Sequence, residues 1–183
     1  MTKTTIIGIG GNLASGKSHL ARHLLGNNRQ RTTFKSLTVE RNPTLKLFAI
    51  GKYDHTRYPG TDFMYTPTLE SDVITFATTI VPTHYRDHFI IFEGNRLFKP
   101  SFIDQITRHP TLDVTLIMLT VTSNTLFHRH LLRGDNQTIT DITANDRRNT
   151  NLLKKYTDII QLPNNTQQDF TTLVERILHL GHK

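Results

Sequence analysis

Between Thr4 and Leu25 an apolar run, a glycine loop and an amphipathic stretch follow one another, and this succession constrains the fold more than any other feature. Thr4 to Ile9 has the near-continuous β-branched and apolar character of a strand buried in a parallel sheet. Gly11-Asn12-Leu13-Ala14-Ser15-Gly16-Lys17-Ser18 then fits G-x-x-x-x-G-K-[ST] at every fixed position. Gly11 and Gly16 let backbone N–H groups turn inward around a phosphate. A helix from Lys17 to Leu25, stopped by Gly26-Asn27-Asn28, aims its positive dipole end at the same anion. Lys17 supplies a mobile point charge for the outer phosphates, and the Ser18 hydroxyl is a ligand for Mg²⁺. An ordinary glycine-rich turn is the alternative. The flanking strand and helix favour a cradle for a nucleoside triphosphate, with residues 11–18 as its binding residues.

Beyond the loop the pattern alternates. Phe34 to Glu40 and Leu45 to Gly51 read as strands around a turn at Arg41-Asn42-Pro43-Thr44, with Arg29-Gln30-Arg31 as a basic connector before them. Thr68 heads a predicted helix over Leu69–Val81, ended by Pro82. His88 to Gly94 is a buried strand closing on Glu93. A helix from Ser101 to His109, a strand from Leu112 to Val121 and a helix after Thr122-Ser123-Asn124 follow. Gly134 to Asn149 is polar without apolar period and is expected as a loop. Leu152 to Tyr156 reads as helix, Asp158 to Leu162 as the last strand, and Gln168 to Leu180 as a closing helix. Strands alternating with helices predict a three-layer α/β fold with a mostly parallel sheet.

The 183 residues suffice for a single domain. No apolar run is long enough to span a bilayer, and with the loop strand at the very start no signal peptide is expected, so the cytoplasm is the expected location. Cysteine is absent, which excludes disulfides and thiolate chemistry. A net charge of +7 and a sequence pI near 9.9 suggest a polyanionic partner, with a solvated basic surface as the alternative.

Several residues have the chemistry that phosphoryl transfer needs. Glu93, at a strand end, is placed to organise Mg²⁺ together with Ser18. Arg96, just beyond it, is either a phosphate ligand or a surface charge. Asp54 and Asp62 follow the strand ending at Gly51. Either can orient an acceptor hydroxyl and take its proton, and the Gly60-Thr61 turn favours Asp62. Tyr53 and Tyr58 are candidates to stack on a base, or simply to pack. Arg129 and Arg133, four apart on one helix face, are candidates to close over the transferring phosphate from a lid spanning about residues 129–150, with a solvated helix face as the alternative; Arg147 and Arg148 in the same stretch are either part of that lid or surface charges.

Gly11 to Ser18, Phe92-Glu93-Gly94, Thr122 to Arg133 and Ile159 to Asn165 together resemble the P-loop kinases of the nucleoside and nucleotide kinase type. In that family the third segment looks like the helix entering the lid and the fourth like the flank of the adenine pocket. The resemblance implies a parallel five-stranded core and Mg-ATP as donor. A narrower one rests on Gly51-Lys52-Tyr53-Asp54, Tyr58-Pro59-Gly60-Thr61-Asp62 and Phe92-Glu93-Gly94, which look like the bacteriophage 5-hydroxymethyluracil DNA kinases. It implies DNA as partner, a flipped-out modified base as acceptor, and the host cytoplasm as location. The basic hairpin around Arg41 to Lys46 departs from that pattern. A kinase of free nucleosides or nucleotides shares every donor-side residue, and a non-catalytic ATP-binding module is the third alternative.

Overall fold

β1 (Thr4–Gly11) alternates between two cores, and the alternation explains its glycines. Ile7 and Ile9 point to one face, Ile6 to the other. On the Ile6 face Gly8 and Gly10 leave room for aromatic rings: a Cβ at Gly8 would lie 2.6 Å from the Phe92 ring, and one at Gly10 would overlap Phe98. A computed structural model describes residues 3–54, 60–133 and 139–183 of the chain.

The strands are β1, β2 (Gln30–Phe34), β3 (Leu37–Asn42), β4 (Leu47–Ile50), β5 (Phe89–Glu93), β6 (Leu112–Thr120) and β7 (Ile160–Pro163). They form one seven-stranded sheet in the order β2-β3-β4-β5-β1-β6-β7. The run from β4 to β7 is parallel throughout, while β2 and β3 add an antiparallel edge. A five-stranded sheet was the expectation. The hairpin at Arg41–Thr44 does form, but a second one folds at Lys35-Ser36 and turns Gln30–Phe34, part of it read as a connector, into the outermost strand. That strand is almost wholly exposed, so its sequence has no apolar alternation to betray it.

Helices cover both faces. α1 (Lys17–Leu25) and α7 (Gln167–Gly181) pack Leu20, Leu24, Phe170, Leu173 and Ile177 on the Ile7–Ile9 face. The other face carries α2 (Leu69–Thr75), α3 (Val81–His84) and α4 (Pro100–Thr107) through Val73, Phe76, Phe102 and Ile103. The result is three layers. The helix from Leu69 does not stop at Pro82. A π turn over Phe76–Ile80 joins α2 to α3, with the Val81 N–H reaching Phe76 O. The wider turn accommodates a proline that has no N–H to place and would crowd an ordinary α turn. α5 (Ser123–Arg133) precedes α6 (Ile139–Lys155). The expectation of an irregular stretch up to Asn149 is therefore corrected, since α6 is helical from Ile139. Among the described residues no helix is long and apolar enough to cross a membrane.

Candidate functional site

The glycine loop leaves the carboxyl end of β1 beside β5 and β6, where the open edges of parallel strands form a crevice. Gly11 (φ 137°) and Gly16 (φ 98°) take backbone conformations closed to most side chains. Space is equally restrictive: a Cβ at Gly11 would meet Leu119 O at 2.9 Å, and one at Gly16 would overlap the Asn164 amide. Lys17 folds across the loop, its Nζ donating to Gly11 O at 3.0 Å and Asn12 O at 2.8 Å. The turn between is closed by the Ser15 N–H on Asn12 O at 3.1 Å, with Ala14 at φ 58°.

Pairing of Ile9 with Glu93 sets β5 level with the loop. Strand alternation sends Glu93 to the face of Phe89 and Ile91, where α1 lies. There Ser18 Oγ donates to Glu93 Oε1 at 3.0 Å. Glu93 is fully buried, and burial pushes its carboxyl up to about 7. Lys17 pulls it down, Asp62 pushes it further up, and the Ser18 hydrogen bond and Arg22 lower it. Arg22, one turn beyond Ser18, donates to Asp54 O at 3.1 Å. Sequence reading assigned Arg22 no part.

The two aspartates are separated by the chain's return. Gly51 (φ 122°) and Gly60 (φ 76°) lie back to back, and Lys52 and Gly60 form an isolated antiparallel bridge. A Cβ on Gly60 would overlap Glu93 Oε1. Thr61 then donates to Glu93 O at 2.5 Å, and the 3₁₀ turn Thr61–Phe63 delivers Asp62 against Gly94, where a Cβ would be 3.0 Å from its Oδ1. Asp62 is thus brought to Glu93. Asp54 is not: its carboxylate pairs with Lys52 at 2.9 Å and Arg31 at 3.3 Å. Tyr53 is fully buried with its hydroxyl on Ile50 O at 3.2 Å, so the packing alternative holds and no ring face is left for a base. Tyr58 lies outside the described residues.

Arg129 reaches the loop, donating to Ala14 O, Ser15 O and Asn164 O at 3.4, 3.3 and 2.8 Å. Asn164 adds its amide to Ser15 O at 2.7 Å. Arg129 and, just beyond β7, Asn164 therefore brace the loop together. Arg133 closes α5, and its side chain lies outside what the structure describes. Arg96 stands over the Tyr65 ring, 3.6 Å from its centroid.

Arg148 lies within electrostatic reach of Asp62. Its pKa is lowered by burial and raised by Asp62, and it donates to Asn95. Its Nε is buried with no hydrogen-bond partner among the described residues. α6 brings the same face to the loop: Asn12 donates to Asp146 at 2.5 Å and accepts from Asn149 at 2.5 Å, while Asn95 donates to Asn145 at 3.1 Å. A cavity of about 610 Å³ opens along α6, lined by Thr140, Thr143, Ala144, Arg147, Arg148 and Asn151. The signal available in the sequence was the spacing Asn145-x-x-Arg148-Asn149, which shares one helical face.

The arrangement can hold a polyphosphate on loop amides and Lys17, with Ser18 and Glu93 as oxygen donors for a hard cation. Glu93's partly suppressed ionisation suits a group that becomes fully charged only beside a cation. Among the described residues no cluster of three or more His, Cys, Asp or Glu side chains is placed to hold a metal ion. No family model matches the chain, and no curated protein matches its sequence.

Proposed function

We propose that the chain is an ATP-dependent P-loop kinase that phosphorylates the hydroxymethyl group of 5-hydroxymethyluracil in DNA. The observation that supports it most is the convergence of Ser18, Glu93 and Asp62 beside the glycine loop. Loop amides and Lys17 bind the β- and γ-phosphates. Ser18 and Glu93 would hold Mg²⁺, which when bound would offset charge on the phosphates. Asp62 orients the acceptor hydroxyl and takes its proton as the oxygen bonds to the γ-phosphorus. The bond from that phosphorus to the β–γ bridging oxygen breaks, and the electron pair leaves with ADP. Arg148, within electrostatic reach of Asp62 and bonded to Asn95, offsets charge on the transferring group.

The DNA acceptor is favoured by the net positive charge and by the motif resemblance. One observation favours a free nucleoside or nucleotide instead: Arg29, Arg31, Lys35, Lys46 and Lys99 all have carboxylate partners within the protein. Labelled γ-phosphate decides between them. It is offered with duplex DNA carrying 5-hydroxymethyluracil, the same DNA with thymine, and the free modified nucleoside and its monophosphate. Label in the modified DNA alone is expected. Label only in a small molecule moves the acceptor to metabolism, and label in none removes the kinase reading for these acceptors.

A further inference from the structure

Three residues beyond Asp62 and three beyond Glu93, the two acid-bearing segments meet a second time. Arg96 lies over the ring of Tyr65, its guanidinium carbon 3.6 Å from the centroid. Tyr65 is 78% exposed, although its neighbour Met64 is buried and Tyr53 is wholly inside the core. Among the described residues no ion pair engages Arg96. At its foot Thr66, Pro67, Leu69, Glu70 and Lys99 line, with Arg96, a hollow of about 190 Å³.

An aromatic ring this open contributes little to the core. Held by a cation on its face, it is a rigid platform with positive charge beside it. Nucleobases stack on aromatic rings and on guanidinium planes, and the neighbouring phosphates seek arginine and lysine. We infer that Tyr65 and Arg96 form a stacking platform for the nucleotide next to the acceptor in a nucleic-acid strand. This rests on the reading that the acceptor base belongs to DNA. A free nucleoside would end within the crevice. A strand must continue out of it, and Asp62–Tyr65 and Glu93–Arg96 lead from the carboxylates to this exposed pair.

The test uses the full chain, Tyr65→Ala, Tyr65→Phe and Arg96→Ala. Anisotropy gives Kd for a short fluorescein-labelled single strand carrying one 5-hydroxymethyluracil, and labelled ATP gives KM for that strand and for the free nucleoside. Loss of one stacked base corresponds to a rise of about 5- to 150-fold in Kd and strand KM for Tyr65→Ala. Tyr65→Phe keeps the ring and stays within about twofold. Arg96→Ala weakens the strand, and its salt dependence becomes shallower. The KM for ATP and the melting temperature of Tyr65→Ala stay at wild-type values, separating a lost platform from a disturbed fold. If the wild type phosphorylates the strand and Tyr65→Ala binds it equally well, the platform is overturned and the kinase reading stands. If the wild type phosphorylates only the free nucleoside and does not bind the strand, both the platform and the DNA acceptor are overturned.

Discussion

Replacing Glu93 by glutamine should separate the cost of a buried acid from its use. Glu93 is fully buried and its carboxyl is pushed from 4.5 to about 7. At about 1.4 kcal/mol per pH decade, ionising it in the folded protein costs roughly 3 kcal/mol more than in the unfolded chain. Because the folded value is the higher one, the stabilising contribution is complete below pH 4.5 and is lost as pH climbs through 7. Glutamine keeps an acceptor for Ser18 and does not titrate. Urea unfolding of both proteins from pH 4.5 to 8.5, without nucleotide or metal, should therefore give stability curves that diverge by up to roughly 3 kcal/mol in favour of Glu93→Gln as pH rises. Adding Mg²⁺ and ATP should reverse the order at pH 8, because a cation beside Ser18 rewards the carboxylate and not the amide. Parallel pH curves for the two proteins would refute the reasoning, since Glu93 would then titrate alike in the folded and unfolded chain.

Asp62→Asn should lower kcat by about 10²- to 10⁴-fold in single-turnover transfer from labelled ATP. Asp54→Asn, which loosens partly exposed pairs with Lys52 and Arg31, should cost under about 1 kcal/mol of stability and little rate; equal rate losses would reject the assignment. Glu40 is fully buried, pairs with Arg29 and Arg31 and accepts the Tyr53 N–H at 2.9 Å. Glu40→Ala should cost about 2 kcal/mol in urea unfolding, because the Tyr53 amide loses its partner while both arginines can turn to water.

The glycine loop and its two flanking elements were legible because each is fixed locally: a buried run, a motif with required backbone angles, a helix with a stop. Glu93 was legible for the same reason, as the last residue of a continuous apolar strand. The part of α6 before Leu152 was hidden because its inner face meets Asn12 of the loop through Asp146 and Asn149 and Asn95 beyond β5 through Asn145 and Arg148. A helix docked by polar side chains has no apolar stripe to display. β2 was hidden because an exposed edge strand needs only its neighbour's backbone. Pro82 misled because a proline rule for α turns does not apply after a π turn. The choice between Asp54 and Asp62 depended on Gly51 meeting Gly60, a contact between residues nine apart that spacing alone does not reveal.

That meeting of glycines also divides the chain's freedom to change. The Lys52–Gly60 bridge pins both ends of the intervening segment to the sheet, and Thr61 fastens its exit to Glu93 O. Residues inserted between Asp54 and Gly60 should leave the path from Gly60 to Asp62 where it is, since lengthening a connection costs only about 0.6 kcal/mol per doubling of its length. The register of Asp62 and Glu93 is therefore held by Gly51 against Gly60 and by Thr61 on Glu93 O, so a change at any of these three positions displaces both carboxylates together.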